Sequence, residues 1–307
     1  MMPRRVVLCG AGYGEAYRRV FRPLGAQLIG IVGQGGRRSR CLASAMQVPW
    51  SCDVKRFLSE ADLVVVAVGG AEGNAIAIEC LKHAVPVLKE HPVSSEFVAQ
   101  AAHAAAGSQV KWLVNPHFAY LPAPAALLAR GQRLARAGKP HSVSVITNAR
   151  MAFSAIDLLL RLADACSIDL AAAMITRMEM SVMSTWHHES GTITLEIRRN
   201  HALEDNEHDV MAGHRFRVDF PKATLDLKSA AGNLVEIAAA PGARPSEIVP
   251  CQTRRRFLEN REFANLLAVR SMLARLPEQP DWLKEQEYAA RTARIWEEVL
   301  RLKDPSA

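Results

Sequence analysis

Apolar and polar positions along the chain change period several times, and those changes mark out its elements. Val6-Val7-Leu8-Cys9 is a short unbroken apolar run, and a second strand is predicted over Gln27–Val32. Leu63 to Val68 is apolar throughout, which fits a strand covered on both faces and therefore a parallel sheet. Further strands are predicted at Val85–Lys89 and Val110–Val114. Between these runs the pattern becomes helical, over Arg38–Met46, Asp53–Glu60, Asn74–His83 and Ser94–Gly107. Strands alternating with helices over about 115 residues predict a doubly wound α/β unit.

Beyond residue 118 the pattern changes. Leu127–Ala137 and Ala155–Cys166 read as helices and His141–Thr147 alternates as a strand does. More strands are predicted at Ile175–Val182, Gly191–Arg198, His214–Phe220, Ala223–Leu227 and Leu234–Ile237, joined by turns such as Phe220-Pro221-Lys222 and Ala231-Gly232-Asn233. Pro241–Pro250, rich in Pro and Gly, is predicted as a loop, and Phe257–Arg275 and Leu283–Lys303 as closing amphipathic helices. The expected fold is α/β, with a dinucleotide-binding (Rossmann-type) parallel-sheet domain over 1–118. An α+β domain with a mostly antiparallel sheet is expected over 119–307, with one face available to substrate or to a second copy in a homodimer.

The turn after the first strand reads Gly10-Ala11-Gly12-Tyr13-Gly14, with a helix predicted over Glu15–Phe21. Glycines there let the backbone turn tightly and let a pyrophosphate approach the N–H groups of a helix N-terminus. The third glycine arrives one residue earlier than in G-x-G-x-x-G. After the second strand an NAD-selective site carries Asp or Glu for the ribose 2′-OH. This chain instead has Gly33-Gln34-Gly35-Gly36-Arg37-Arg38-Ser39-Arg40, small residues followed by guanidinium and hydroxyl donors that suit a 2′-phosphate. The expected cofactor is NADP(H), held by Gly10, Ala11, Gly12, Tyr13, Gly14, Gln34, Arg37, Arg38 and Ser39.

Charge sharpens this reading. The net charge is +7, and residues 1–60 hold ten Lys/Arg against three Asp/Glu, so the whole excess lies in the segment expected to meet a polyanionic cofactor. Nucleic acid is the rival for a pI near 9.3, but no helix-turn-helix, zinc finger or aromatic platform is visible and 6% of residues are aromatic. No run of about 18 apolar residues and no signal-peptide pattern occurs, so neither membrane nor export is expected and a cytoplasmic location is. Six scattered cysteines without C-x-x-C spacing predict free thiols.

Two strand ends carry candidate chemistry, Lys89-Glu90-His91-Pro92 and Asn115-Pro116-His117-Phe118-Ala119-Tyr120. Both close strands at the edge where open α/β sheets bind ligands. His91, aimed by a proline-restricted backbone, is a candidate catalytic residue whose ordinary titration near neutrality suits proton exchange, and His117 and Tyr120 are candidates beside it. Glu90 and Asn115 are placed with the cofactor, Glu90 also being able to hold the His91 ring. A third cluster, Trp186-His187-His188-Glu189 with His201, Glu204, His208, Asp209 and His214, offers metal donors. Adjacent histidines in an extended segment point to opposite sides and no H-x-x-x-H spacing occurs, so it is read as a polar loop and no metal is expected.

The glycine-rich start, the Val85-Pro86-Val87-Leu88-Lys89-Glu90-His91-Pro92 strand end and Val114-Asn115-Pro116-His117-Phe118 resemble the Gfo/Idh/MocA oxidoreductases, whose corresponding motif is E-K-P with an active-site Lys. His91 in place of that Lys, the shortened glycine turn and the Ile31–Arg40 segment are more similar to one branch, the thiazolinyl imine reductases of siderophore assembly lines such as those of yersiniabactin and pyochelin. The likeness runs from about Arg5 to Leu160, including Phe153–Leu160. It implies NADPH-dependent reduction of a thiazoline C=N to a thiazolidine, with the thiazoline tethered to a carrier protein of nonribosomal peptide synthesis. The branch carries a Tyr as proposed proton donor where this chain has Phe118, with Tyr120 two residues on. Two other readings stand beside it: a relative acting on a sugar or small carbonyl, and a non-catalytic NADP-binding regulator.

Overall fold

The computed structural model describes residues 2–170, 174–177, 181–198, 213–274 and 282–301. The chain forms two compact units, one of Met1–His117 with Arg261–Ala293 and the other of Phe118–Asn260 with Arg294–Ala307.

Among the described residues the first unit carries a six-stranded parallel sheet of β1 (Arg5–Cys9), β2 (Gln27–Val32), β3 (Trp50–Ser51), β4 (Leu63–Val66), β5 (Val87–Lys89) and β6 (Trp112–Val114). Their order is β3-β2-β1-β4-β5-β6, so the chain reverses direction across the sheet between β1 and β4. That switch opens a crevice at the carboxyl ends of the central strands. The helices are α1 (Arg37–Met46), α2 (Lys55–Leu58), α3 (Gly70–Lys82) and α4 (Ser95–Ser108), the last capped by the Ser94 hydroxyl, which accepts from the Phe97 N–H. All four residues of β4 are buried, as its apolar run requires.

Three features of this unit depart from the pattern-based expectation. The two-residue β3 is too short to leave a periodic signal. The helix expected over Glu15–Phe21 is a 3₁₀ turn, Tyr13–Tyr17, followed by a second at Arg22–Leu24. Pro23 has no N–H to extend a helix and Gly25 at φ 63° turns the chain left-handed, so an α-helix has no room to propagate. Finally, residues 261–293 belong to this unit and not to the 119–307 domain. Within α7 (Arg254–Leu273), Ala264, Ala268, Val269 and Met272 are buried, and Asn265 Oδ1 accepts from Asn115 Nδ2 at 2.9 Å. Lys111 Nζ donates to Ser271 O, and Gln286 Nε2, in α8 (Trp282–Arg301), donates to Trp112 O at 3.0 Å. Polar groups around β6, at the edge of the sheet, thus take their partners from chain far along the sequence.

The second unit holds an eight-stranded sheet among its described residues, ordered β14-β13-β12-β11-β7-β10-β9-β8. Its strands are β7 (Ser142–Asn148), β8 (Met174–Arg177), β9 (Ser181–His188), β10 (Gly191–Arg198), β11 (His214–Asp219), β12 (Ala223–Ser229), β13 (Gly232–Ala238) and β14 (Ser246–Val249). Neighbours are antiparallel except for β7 and β10. Helix α5 (Pro122–Ala135) opens with Pro in its first turn, and α6 (Ala152–Ala165) is buried over most of its length. The strand expected over Ile175–Val182 is divided between β8 and β9. Ser246–Val249, expected as loop, pairs with β13, a case of a sheet edge recruiting a segment of weak propensity.

Because Asn265 is fully buried on the Asn115 amide, Asn265→Ala should cost about 1–3 kcal/mol by removing one of the acceptors of a buried donor. Urea denaturation checks this; an unchanged midpoint would show that residues 261–293 do not support the first unit's core.

Candidate active site

Glu90, His91, Asn115 and His117 sit at the carboxyl ends of β5 and β6, where backbone pairing runs out and side chains must supply the partners. Glu90, Asn115 and His117 are buried, while His91 is partly exposed with its Nε2 out of solvent. Tyr17 OH donates to Glu90 Oε1, and Asn115 Nδ2 donates to the same oxygen at 2.7 Å and contacts Tyr17 OH at 2.8 Å. The other carboxylate oxygen, Oε2, lies 4.0 Å from His117 Nδ1. Tyr13 OH and His117 Nε2 are 2.9 Å apart, and the Arg261 guanidinium stands 5.5 Å from the Tyr13 ring centre. The His91 and His117 rings stack, with centroids 5.2 Å apart and planes 13° from parallel. Lys89 is fully buried, its Nζ donating to Val68 O at 2.8 Å and Glu90 O at 3.0 Å.

Electrostatically the cluster favours neutral groups. Burial raises the Glu90 carboxyl, against the pull of the Tyr17 and Asn115 hydrogen bonds, and burial with the Glu90 charge raises both tyrosines. Lys89 is brought down to about 8 by burial, opposed by Glu90. His91 is brought down to about 4, first by burial and then by Lys89. The expected neutral-range titration of His91 is therefore corrected: the ring is uncharged near neutrality.

The structure brings together His91, His117, Glu90, Asn115 and Tyr13, all in the first unit. Tyr13, singled out for its place in the glycine turn, spends its hydroxyl on His117. Tyr120 belongs to the second unit, half-buried at the end of the 3₁₀ turn His117–Tyr120, and Phe118 there meets the His214 ring edge-on at 4.9 Å. Tyr17, Asn265 and Arg261 were not singled out from sequence, and Lys89 was named only as part of its strand end. A buried Lys at a strand end was a readable signal; the other three were not.

At the glycine turn, Gly10 has φ 94° and a β-carbon there would lie 2.6 Å from Ala67 O, so only glycine fits. A β-carbon at Gly12 would meet only Arg38 Nη1, at 3.8 Å, so the turn is open on that side and a guanidinium borders it. Ala11 and Gly14 are buried, Gly14 against Leu8. The short 3₁₀ turn that follows removes the long helix N-terminus expected to face a pyrophosphate. Beyond β2, Gln34 donates to Glu72, and Arg37 and Arg38 are exposed at the uncapped start of α1. Ser39 instead serves the fold, its hydroxyl donating to Gly36 O and accepting from Trp50 Nε1. An open groove of about 640 Å³ runs along α1 beside Gly35, Arg37, Arg40 and Cys41. These features fit a phosphate-rich dinucleotide.

Residues 4–115 match the sequence model described as the oxidoreductase family, NAD-binding Rossmann fold. Over residues 4–115 the chain is thus similar to the NAD-binding domain of the Gfo/Idh/MocA oxidoreductases. No curated protein matches the chain in sequence. Among solved structures, the chain is similar to an oxidoreductase from Agrobacterium radiobacter in complex with NAD+, L-tartaric acid and magnesium, at 13% identity and TM-score 0.74, covering 99% of this chain and 97% of that one. It is similar to an NAD-binding oxidoreductase from Klebsiella pneumoniae (14%, 0.73, covering 98% and 97%) and to a UDP-N-acetylglucosamine 3-dehydrogenase from Acidithiobacillus ferrooxidans (15%, 0.69, covering 97% of each). At such identities the likeness is one of fold over the whole chain, the second unit included. The Gfo/Idh/MocA match ends at Asn115, after the Glu90-His91-Pro92 segment and before His117.

All six cysteines are free: Cys9, Cys80 and Cys166 are buried, and Cys41, Cys52 and Cys251 are exposed. Among the described residues no helix is long and apolar enough to cross a membrane. Trp186-His187-His188, expected in a polar loop, lies in β9 with Trp186 buried, His187 exposed and His188 half-buried, because the alternation of the strand carries through them. His214 is buried against Ser154, Nε2 to Oγ 3.0 Å. His201, Glu204, His208 and Asp209 lie outside the described residues.

The lowered His91 value has a consequence for stability. Below its ordinary value of 6.5 the unfolded chain takes up a proton that the folded unit refuses until about 4, so this group makes stability fall as pH drops through that window. Glu90, raised in the fold, has the opposite sign: its contribution falls as pH rises above the ordinary carboxylate value. His91→Gln should therefore flatten the acid-side decline between about pH 6.5 and 4 without touching the Glu90 component. Melting temperature against pH for both proteins checks it, and parallel curves would refute the burial of a neutral His91.

Proposed function

We propose that this chain is an NADPH-dependent imine reductase that converts a carrier-protein-tethered thiazoline into a thiazolidine in siderophore-type nonribosomal peptide synthesis, in the cytoplasm. The observation that carries the reading is His91: it stands at the strand end where the family to which this segment is similar has Lys, stacked on His117 and backed by Tyr13 and Glu90. The acid-free segment after β2 supports NADPH, with Arg37 and Arg38 as the ligands of its 2′-phosphate and Gly10 and Gly12 allowing close backbone approach.

NADPH when bound supplies a hydride to the C=N carbon. The protein's own part is to hold the thiazoline ring and see that its nitrogen gains a proton. His91, held neutral near neutrality by burial, and His117 serve as positioning groups able to donate or accept through ring nitrogens. Proximity rather than a charged general acid is the main source of rate, and the proton reaches nitrogen from water. Glu90 Oε1 and Asn115 Nδ2 are engaged with each other, Tyr17 and Asn265, and Glu90 Oε2 faces His117. The substrate would be presented on a phosphopantetheine arm, with transient docking of its carrier.

The second reading, a dehydrogenase of sugars or small carbonyls, is favoured by the UDP-N-acetylglucosamine 3-dehydrogenase among the structural neighbours. Supplying the protein with NADPH and thiazolines, or with NAD+ or NADP+ and sugars, while following nicotinamide absorbance, separates the two. Reduction of the nucleotide by sugars without oxidation of NADPH by thiazolines overturns the reductase reading, and no turnover with either leaves the NADP-binding regulator.

NADPH should bind more tightly than NADH by about 1.5–3 kcal/mol, and joint replacement of Arg37 and Arg38 by Ala should remove most of the difference. Equal affinities by titration would refute the assignment. His91→Ala should slow turnover by about tenfold to a hundredfold, at or below the low end of general-acid effects, and Tyr120→Phe should do less. Unchanged kcat and KM in His91→Ala would remove that ring from the mechanism.

A further inference from the structure

We propose that Glu90, His91 and His117 form a site for one divalent cation of the zinc class, with three protein ligands and one open position. The ligand atoms these residues offer lie within 4.8 Å of one another. Glu90 Oε2 and His117 Nδ1 are 4.0 Å apart. Tetrahedral zinc with bonds of about 2.0–2.1 Å needs ligand atoms about 3.4 Å apart, so shifts of less than about 1 Å would close the set. Two imidazoles and a carboxylate suit zinc, cobalt or iron, and are a poor match for magnesium or calcium, which take oxygen ligands.

The surroundings are built as those of metal ligands are. A ligating histidine has its other nitrogen hydrogen-bonded and a ligating carboxylate is itself held. His117 presents Nδ1 to Glu90 Oε2 while Nε2 is bonded to Tyr13 OH, so its second nitrogen is held as that of a ligating histidine is. On Glu90, Tyr17 OH and Asn115 Nδ2 both hold Oε1, and Oε2 faces the histidines. All these residues lie in the first unit, and their ring and carboxylate planes are set by partners on β5, β6, α7 and the glycine turn. Lys89 and Arg261 add positive charge close by and oppose a cation. They hold the affinity below that of a structural zinc site.

The test reads binding without cofactor or substrate, so its failure is distinguishable from failure of the reductase reading. Chelator-stripped full-length protein is titrated with Co²⁺, followed by its visible absorption, and with Zn²⁺ in competition for the cobalt. The expected result is one equivalent of cobalt with the intense bands of four-coordinate geometry, displaced by zinc. His117→Ala and Glu90→Gln should weaken binding by about a hundredfold or more, and Tyr13→Phe, which alters only the support of His117, by about tenfold to a hundredfold. His187→Ala, on the exposed face of β9, should bind as the parent does. Melting curves confirm that each variant is folded; if His117→Ala is not, Glu90→Gln, which keeps the side chain's shape, decides. Absence of the cobalt bands, or bands that survive Glu90→Gln in a folded protein, would overturn the proposal.

Discussion

A carboxylate buried at the end of β5 is the constraint on which the rest of the first unit turns. Glu90 is 5% exposed, and a charge so placed costs several kcal/mol unless donors surround it. Those donors come from the 3₁₀ turn after the glycines, through Tyr17, and from the end of β6, through Asn115, which is itself held by Asn265 of α7. Satisfying one side chain thus ties the glycine turn, two strand ends and a late helix into one polar layer. The layer sits where the parallel sheet ends because the ladder no longer serves the backbone there and the crevice of the fold opens beside it.

The same burial decides the chemistry on offer. Desolvation disfavours charge on His91, Lys89 and Glu90 alike, and the tyrosines are held protonated. The site is therefore rich in neutral hydrogen-bonding groups and imidazole lone pairs and poor in freely ionising acids. Such a set can orient a weakly basic ring nitrogen without trapping it as a salt. It can equally ligate a divalent cation of the zinc class, because both tasks draw on imidazole lone pairs. The positive charges of Lys89 and Arg261 border the cluster, and Arg38 stands beside the open glycine turn.

The second unit follows a simpler rule. Its sheet alternates inward apolar residues such as Ile193, Leu195 and Ile197 with outward Thr192, Thr194 and Glu196, and α6 is buried over most of its length. Trp186 and the histidines after it obey that alternation instead of breaking it, so a segment that looks chemically loaded is distributed across two faces of a strand.

Sequence alone determined what depends on local period and on residue type. The apolar runs at Val6–Cys9 and Leu63–Val68 announced a buried parallel sheet, the glycines after β1 announced a close-approach turn, and the missing acid after β2 announced Arg37 and Arg38. His91 and His117 were legible because strand ends in such a sheet can be located from the runs that precede them. Tertiary structure alone decided the partners. Asn115 and Asn265 are 150 residues apart in the chain, Tyr13 and His117 are 104 apart, and nothing in a local pattern pairs them. It also converted the expected Glu15–Phe21 helix into 3₁₀ turns and gave residues 261–293 to the first unit. The protonation of His91 was likewise beyond the sequence, because a side chain's charge is set by the depth and neighbours of its site, and those exist only once distant segments have met.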